Sequence, residues 1–378
     1  MFTFQPEPIS IILLSALLAL VLLQVIYYFG LYSKFLKVIN TEINRQNWQG
    51  VSVIVCARSE YDNLQNLVPA LLAQDYPNFE VIIVDDASWD GTTGYLEELE
   101  KNEPKIKAVF VTDEMKKYYQ GKKLALSLGI KAASNELILL TDADCIPASN
   151  DWISHMVEPY HSNPNIEIVL GYSPVIKESS FTNICSRIDN VYTGANYFSF
   201  ALNKDPYMGV GRNLSYKKSL FFKVKGFASH LHIAPGDDDL FVRDAATQEN
   251  TAISMHPDSF VNTSSKKTFA EWFKQKKRHN FVGKYYKSNH KAKLSFIILT
   301  HGLLWATFIA NMFFFASMGW ALAIICIYLL IKWPMMYQVF KKLKQSGLSI
   351  WVPVFDLLYV FYNFTFGFVT LFSRQKKW

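Results

Sequence analysis

In the stretch LILLTDAD, residues 137–144, four apolar residues and Thr141 precede two aspartates that lie two positions apart. A short apolar run of this kind is typical of a buried strand. Side chains alternate along extended backbone, so Asp142 and Asp144 can point to the same side and offer two oxygen ligands to one cation. Paired charges beside a buried strand also need a counter-ion. The stretch therefore predicts a site for Mg²⁺ or Mn²⁺ with a bound diphosphate, and an aspartate-capped turn is the structural alternative.

The same pattern of an apolar run followed by a polar loop occurs earlier in the chain, with helix-compatible segments in between. The predicted strands cover residues 51–55, 81–84, 108–111 and 137–140. Strands that alternate with helices indicate βαβ units and a mostly parallel sheet. The fold class predicted for this part of the chain is therefore α/β and Rossmann-like.

Carboxylates follow three of these predicted strands. They are Glu60, the pair Asp85 and Asp86, and the pair Asp142 and Asp144. In open α/β sheets, ligands bind in the crevice beyond the carboxyl ends of the strands. We therefore expect these clusters to form one site, in which Asp85 or Asp86 accepts hydrogen bonds from a nucleobase or ribose.

Long apolar stretches flank the polar central block on both sides. They cover residues 11–30, 294–316, 318–340 and 350–372, and each is long enough to cross a bilayer as a helix. The predicted organisation is an amino-terminal transmembrane helix in residues 1–33, a central domain in 34–293 and a membrane region of two or three segments in 294–378. The first stretch lacks basic residues on its amino-terminal side, which argues against a cleaved signal peptide.

Basic residues beside these stretches predict which face of the membrane the central domain occupies. The positive-inside rule places that domain in the cytoplasm and the amino terminus outside. The membrane is expected to be a bacterial inner membrane. The basic residues on the cytoplasmic side are Lys34, Lys37, Lys287, Lys291, Lys293, Lys341, Lys342 and Lys344. A fourth crossing would leave Arg374, Lys376 and Lys377 outside. Because the last stretch contains Pro353 and Asp356, a re-entrant segment is the alternative, and three crossings are favoured over four.

Charge and cysteine usage exclude several classes of protein. The formal net charge of +6 comes from basic residues near the apolar stretches, and no basic-aromatic motif for nucleic acid occurs. We therefore expect membrane lipids and no nucleic acid among the partners. The four cysteines are widely spaced, which indicates neither a disulfide framework nor a zinc knuckle. His230 and His232 are interpreted as loop histidines.

Five motifs in this order resemble the family-2 glycosyltransferases of GT-A fold. They are VSVIVCARSE at 51–60, VDDASWDGT at 84–92, TDAD at 141–144, GDDDL at 236–240 and QKKRH at 275–279. The resemblance covers residues 50–285, with a nucleotide-sugar half in about 50–150 and an acceptor half in about 151–285. It extends to membrane-anchored enzymes of the ceramide glucosyltransferase and polysaccharide synthase type.

The resemblance implies roles for particular residues. Donor contacts are implied for Ala57, Glu60, Asp85, Asp86, Lys122, Asp142 and Asp144, and the last two would also hold the metal. Asp237 is implied as the catalytic base, with Asp238 as its rival, and Arg278 as a cation that neutralises the departing diphosphate. Acceptor contacts are implied for Gly211, Asn213, Gln275 and His279, although His279 stands where the family often has Trp.

These features predict an inverting, metal-dependent transferase. It would move a sugar from a nucleotide-sugar, expected to be a UDP-sugar, to a lipid-linked or glycan acceptor at the cytoplasmic face. Two alternatives stay open: a catalytically silent sugar-nucleotide-binding scaffold and a receiver-like signalling domain. The identity of the sugar, the number of sugars added per acceptor, the protein partners and the oligomeric state are also open.

Overall fold

The computed structural model describes residues 8–39, 43, 49–116 and 122–372. Within these residues the chain forms two compact units, one of residues 38–285 and one that combines the amino-terminal segment with residues 286–373. We call them the central unit and the helical unit. The basic residues Arg374, Lys376 and Lys377, which the sequence analysis used, lie outside the described residues.

A seven-stranded sheet forms the middle of the central unit, in the order β3-β2-β1-β4-β7-β6-β8. The strands are β1 (Val51–Ala57), β2 (Phe79–Asp85), β3 (Ile106–Phe110), β4 (Leu137–Asp142), β6 (Ile168–Leu170), β7 (Leu214–Lys217) and β8 (Thr251–Ile253). Four adjacent pairs are parallel, and β7 runs antiparallel to both of its neighbours. A second sheet pairs β5 (Cys145–Pro147) with β9 (Val261–Thr263). The predicted α/β fold with a mostly parallel sheet is confirmed.

Helices cover both faces of the large sheet. Those of the central unit are α2 (Tyr61–Leu72), α3 (Thr92–Asn102), α4 (Asp113–Lys116), α5 (Lys122–Ala132), α6 (Trp152–Ser162), α7 (Phe181–Leu202), α8 (Lys218–Lys223), α9 (Asp239–Ala245) and α10 (Phe269–Val282). The helices α2 and α6 pack their apolar side chains on one face of β1, β2 and β4. On the other face α5 approaches very closely, because a Cβ at Gly129 would lie 2.7 Å from Ile54 and 2.9 Å from Val84.

Four long apolar helices make up the helical unit. They are α1 (Pro8–Lys37), α11 (Ser288–Asn311), α12 (Phe315–Lys342) and α13 (Val352–Phe372). By length and composition the first three are able to cross a membrane, and so is the span Ser346–Thr370, which includes most of α13. Gln24, a polar interruption of the first apolar stretch, donates to Thr300 Oγ1 at 2.7 Å and so links α1 to α11. The chain therefore has the helices of an integral membrane protein.

A buried polar network joins all four helices around Asp356. One carboxylate oxygen pairs with Lys332 on α12, and the other accepts from Trp305 Nε1 at 3.0 Å and lies 3.1 Å from His301 Nε2, both on α11. Lys332 also donates to Tyr28 on α1 at 2.7 Å. A charge in an apolar bundle is tolerated when it is paired and hydrogen-bonded. The helix α13 is thus continuous through Asp356, and Pro353 occupies its first turn, where an N–H is not needed.

Replacement of Asp356 by leucine should destabilise the helical unit by about 3–5 kcal/mol, because it leaves Lys332 buried without a counter-charge. The double variant Asp356→Leu/Lys332→Met should recover most of this loss. Thermal unfolding in mild detergent, followed by circular dichroism, measures both. If Asp356→Leu alone lowers the free energy of unfolding by less than about 1 kcal/mol, the pair of Asp356 and Lys332 is no stronger than a surface ion pair.

Candidate active site

The register of the parallel strands brings the predicted carboxylates to one edge of the sheet. Ala57 at the end of β1 lies opposite Asp85 of β2, and its neighbour Cys56 lies opposite Asp142 of β4. The loops that carry Asp86 and Asp144 therefore leave the same edge of the sheet, on either side of β1. We call this edge, with its loops, the carboxylate edge.

The two loops that follow β1 and β2 are tied to each other. Ser59 and Ala87 have φ angles of +58° and +50°, a conformation that non-glycine residues adopt at a cost. Ser59 N donates to Ser88 Oγ at 2.8 Å, and Glu60 N donates to Thr92 Oγ1 at 3.2 Å. These bonds between the loops hold both of them in tight turns at the carboxylate edge.

Asp85 and Asp86 have different environments. The oxygens of Asp85 accept from Ser88 N at 2.9 Å, from Ser88 Oγ at 2.5 Å and from Thr93 Oγ1 at 2.6 Å. Asp85 therefore builds the turn after β2. The backbone N–H of Asp86 donates to Ala57 O at 2.8 Å, which positions Asp86 beside the end of β1. Of the two, Asp86 is the better candidate for contact with a nucleoside.

Glu60 stands at the start of α2, where Oε2 accepts from Asn63 Nδ2 at 2.5 Å. Partial burial raises the pKa of Glu60, and the negative charge of Asp144 adds to this rise. Glu60 and Asp144 are therefore close enough to interact, as the prediction of a single site requires.

Asp142 and Asp144 provide the candidate metal site. A ligand atom of each, together with the thiol of Cys145, lies within 4.8 Å of the others. Burial raises the pKa of Cys145 well above its usual value, and Asp142 and Asp144 add to this rise, so the thiol stays protonated. A protonated thiol is a poor ligand, which leaves two hard carboxylate oxygens. This donor set suits Mg²⁺ or Mn²⁺.

Lys122, the first residue of α5, links the metal candidate to the candidate base. Its Nζ lies 2.5 Å from Asp142 Oδ1 and 3.4 Å from Asp237 Oδ2. Burial opposes the charge of Lys122, but Asp142 and Asp237 raise its pKa well above the usual value. In turn, and again against the effect of burial, Lys122 lowers the pKa of Asp142. Lys122 thus provides a positive charge between carboxylates from distant parts of the chain.

The neighbouring Lys123 holds the loop that leads to Asp237. Its buried Nζ donates to three backbone oxygens of that loop: His230 O at 2.9 Å, Ile233 O at 2.7 Å and Pro235 O at 3.2 Å. Burial lowers the pKa of Lys123 to about 8. The sequence analysis did not identify this lysine, since a second basic residue at a helix start looks like a solvated one.

Asp237 and Asp238 are distinguished by their hydrogen bonds. Asp238 is the N-cap of α9, and its carboxylate accepts from Gly211 N at 2.7 Å and from Asp239 N at 2.8 Å. Burial raises the pKa of Asp238, and the charge of Asp237 adds to this rise. Gly236, with φ +86°, makes the turn before them, where a Cβ would lie 2.8 Å from Leu240. Asp238 therefore has a structural role, while the side chain of Asp237 is 15% exposed beside Lys122.

Of the residues predicted to contact the acceptor, Gly211 lies beside Asp238 and Asn213 lies elsewhere. Asn213 is fully buried, where its Nδ2 donates to Tyr172 O and Ser259 O at 2.8 Å each and its Oδ1 accepts from Trp152 Nε1 at 3.0 Å. The side-chain amide of Asn213 is therefore hydrogen-bonded to groups inside the fold. The expected contact between Asn213 and a sugar is therefore not supported.

The helix α10 carries the other predicted residues. Gln275 is half-buried, and Arg278 and His279 are exposed. Lys276 in the same motif pairs with Asp189, which holds α10 against α7. Arg278 is near enough to Asp142 to favour its ionised form, and so is Arg212, which the sequence analysis did not assign. Arg212 directly follows Gly211, and its position became apparent only from the packing of that loop.

Comparison with known protein families assigns part of the chain. The sequence profile described as Glycosyl transferase family 2 matches residues 52–223, which include the ends of β1, β2 and β4. Residues 52–223 belong to glycosyltransferase family 2.

Curated family-2 relatives match only part of their own length. A poly-beta-1,6-N-acetyl-D-glucosamine synthase of Staphylococcus epidermidis is 31% identical over 156 residues, which are 41% of this chain and 36% of the relative. An uncharacterized glycosyltransferase of Haemophilus influenzae is 32% identical over 133 residues, or 35% of this chain and 39% of the relative. The chain thus matches little more than a third of the length of these relatives.

A solved structure is similar over a longer range. A mannosyltransferase from Pyrobaculum calidifontis, in complex with GDP-Man and Mn²⁺, aligns with a TM-score of 0.58 over 92% of this chain and 98% of its own. The sequence identity is 20%. At this identity the similarity shows the fold, which is the predicted GT-A fold of family 2.

Replacement of Lys123 by methionine should loosen the loop before Asp237 because three backbone oxygens lose a charged donor. We expect amide hydrogen exchange in residues 229–238 to be about 30-fold faster, which corresponds to about 2 kcal/mol. Hydrogen exchange with mass spectrometry measures this. Lys131→Met, an exposed position on the same helix, is the matched control. Equal protection in both variants would contradict the role of Lys123.

Proposed function

We propose that the chain is an inverting, metal-dependent glycosyltransferase that transfers a sugar from a nucleotide-sugar to an acceptor hydroxyl. The main observation is that Lys122 Nζ lies within 2.5 Å of Asp142 Oδ1 and within 3.4 Å of Asp237 Oδ2, which brings Asp237 to the carboxylate edge. Asp142, with Asp144, suits a metal-bound diphosphate, and Asp237 is the carboxylate on the other side of Lys122.

Asp237 is the proposed catalytic base. An acceptor hydroxyl must lose its proton as it attacks the anomeric carbon, and a positioned carboxylate accepts that proton. Asp238 is a poorer candidate because two backbone amides already bind its carboxylate. Attack on the face opposite the leaving diphosphate inverts the configuration at the anomeric carbon.

Positive charge near Asp142 would stabilise the departing nucleoside diphosphate. Lys122 lies 2.5 Å from Asp142, and Arg212 and Arg278 both favour the ionised form of that carboxylate. A divalent ion held by Asp142 and Asp144 would neutralise the diphosphate further. Cations placed where negative charge develops lower the barrier to bond cleavage. The mannosyltransferase of similar fold binds GDP-Man and Mn²⁺ together, which supports this assignment.

The proposed acceptor is lipid-linked or a growing glycan at the cytoplasmic face of a bacterial inner membrane. The partial match to synthases of an N-acetyl-D-glucosamine polymer supports a glycan product and makes that sugar the first donor to test. Basic residues at the inner ends of α1, α11 and α12 support the cytoplasmic face. Because Asp356 is paired within a continuous helix, we propose that α13 also crosses, which gives four crossings.

Activity should distinguish the two candidate bases. In native membranes with Mg²⁺ or Mn²⁺, we expect release of nucleoside diphosphate from one member of a panel of UDP- and GDP-sugars. Asp237→Asn should reduce kcat by about 10²–10⁴-fold while donor binding persists. Asp238→Asn, which can still cap α9, should reduce it by less than about tenfold. Asp144→Asn should raise the concentration of metal required.

The other results of this experiment have definite meanings. A larger loss in Asp238→Asn than in Asp237→Asn, with both variants folded, would make Asp238 the base. Donor binding without turnover, even with native lipids present, would indicate the silent scaffold. Turnover that does not depend on Asp237, Asp238 or Asp144 would exclude the proposed mechanism.

The membrane topology can be tested by fusions of green fluorescent protein, which fluoresces in the cytoplasm, and alkaline phosphatase, which is active outside it. Fusions after Lys344 should fluoresce and show no phosphatase activity. Fusions after Trp378 should show the reverse. A fluorescent fusion after Trp378 would support three crossings, and phosphatase activity after Lys344 would contradict the cytoplasmic face.

A further inference from the structure

We propose that His155, His256 and Asp258 form a second metal site, which takes a transition ion such as Zn²⁺. A ligand atom of each residue lies within 4.8 Å of the others. His155 belongs to α6, whereas His256 is the N-cap of a 3-10 turn (Pro257–Ser259) between β8 and β9, and Asp258 lies within that turn. The two histidines are far apart in the sequence, so the site cannot be recognised from a short metal-binding motif.

The distances between the ligand atoms are close to those of a zinc site. Asp258 Oδ2 lies 3.5 Å from His256 Nδ1 and 4.0 Å from His155 Nε2. A tetrahedral Zn²⁺ with bonds of about 2.0–2.1 Å places its ligand atoms about 3.3–3.4 Å apart. These two distances are about 0.1–0.7 Å longer than that separation.

The two imidazoles also need only a local rearrangement. Their rings are stacked, with centroids 3.9 Å apart and planes 11° from parallel. Rotation about the Cβ–Cγ bond, which is a broad torsion for histidine, turns a nitrogen of each ring toward a common ion. His256 Nδ1 already acts as an acceptor, from Asp258 N at 3.2 Å, so this nitrogen carries a lone pair that a metal would take over.

The turn that carries two of the ligands is firmly held. Ser259 Oγ donates to His256 O at 2.8 Å, and Ser149 Oγ donates to Asp258 O at 3.0 Å. The buried Asn213 donates to Ser259 O at 2.8 Å. On the opposite side, Ser254 Oγ donates to His155 O at 3.0 Å. A site whose backbone is fixed before binding loses little entropy when the metal binds.

The site is open enough for an ion to enter. The side chain of His155 is 8% exposed, that of His256 is 29% exposed and that of Asp258 is 47% exposed. Three protein ligands leave a fourth position for water. Asp258 therefore lies at the entrance, and His155 lies at the base of the site.

The ligand chemistry separates this site from the carboxylate edge. Imidazole nitrogen favours Zn²⁺, Co²⁺, Ni²⁺ and Cu²⁺, whereas the paired carboxylates of Asp142 and Asp144 suit Mg²⁺ and Mn²⁺. The β5–β9 ribbon connects the two places, because β5 begins directly after Asp144 and β9 begins shortly after Asp258. An ion bound here would fasten α6 to the turn before that ribbon.

The test uses full-length protein in detergent, with any affinity tag removed and metals stripped by a chelator. Excess Mg²⁺ occupies the oxygen site while Co²⁺ is titrated and followed by its visible absorption, and Zn²⁺ then competes. We expect one Zn²⁺ to bind with a Kd below about 1 µM. His155→Gln, His256→Gln and Asp258→Asn should each weaken binding at least about tenfold.

His161→Gln is the matched control, because His161 lies on α6 outside the cluster, and it should bind like the unchanged protein. If His155→Gln fails to fold, His256→Gln and Asp258→Asn still test the proposal, because these two side chains are more exposed. The proposal is overturned if Zn²⁺ binds no tighter than about 1 mM. It is also overturned if Asp144→Asn abolishes binding, or if His161→Gln weakens binding as much as His256→Gln does.

Discussion

The ion pairs of Lys122 with Asp142 and Asp237 are the interaction on which the candidate active site depends. Asp142 ends a central strand, and Asp237 lies on a loop nearly a hundred positions later. Without a cation between them, two carboxylates so close together would raise each other's pKa and favour protonation. With Lys122 in place the electrostatic balance favours ionised Asp142. A nucleotide-sugar with its metal would therefore enter a site in which the protein already balances its own charges.

A second lysine gives this arrangement mechanical support. Lys123 binds three backbone oxygens of the loop before Asp237, so adjacent residues at one helix start fix the charge and the position of the proposed base. Asp85 and Asp238 act in a similar way, because each uses its carboxylate to shape a turn next to a second aspartate. In both acidic clusters one residue builds the loop beside a neighbouring aspartate.

The helical unit also contains a carboxylate that needs a counter-charge, here in apolar surroundings. Asp356 contacts α11 through Trp305 and α12 through Lys332, and Lys332 in turn binds Tyr28 on α1. This network explains how α13 accommodates a carboxylate. The sequence analysis treated Asp356 and Pro353 as signs of a re-entrant segment. That interpretation followed from an isolated charge in an apolar stretch, and the counter-charge on α12 was not visible in the local sequence.

The sequence by itself determined the α/β fold, the strand ends that carry Asp86 and Asp142, the long apolar helices and the resemblance to family 2. These features are local, since they depend on the period of apolar residues and on polar residues that follow them directly. The tertiary structure decided which aspartate of each cluster is structural, that Asn213 is enclosed in the core and that Arg212 and Lys123 support the site. It also brought His155 to His256. Such roles depend on partners that are distant in the chain, and only packing brings those partners together.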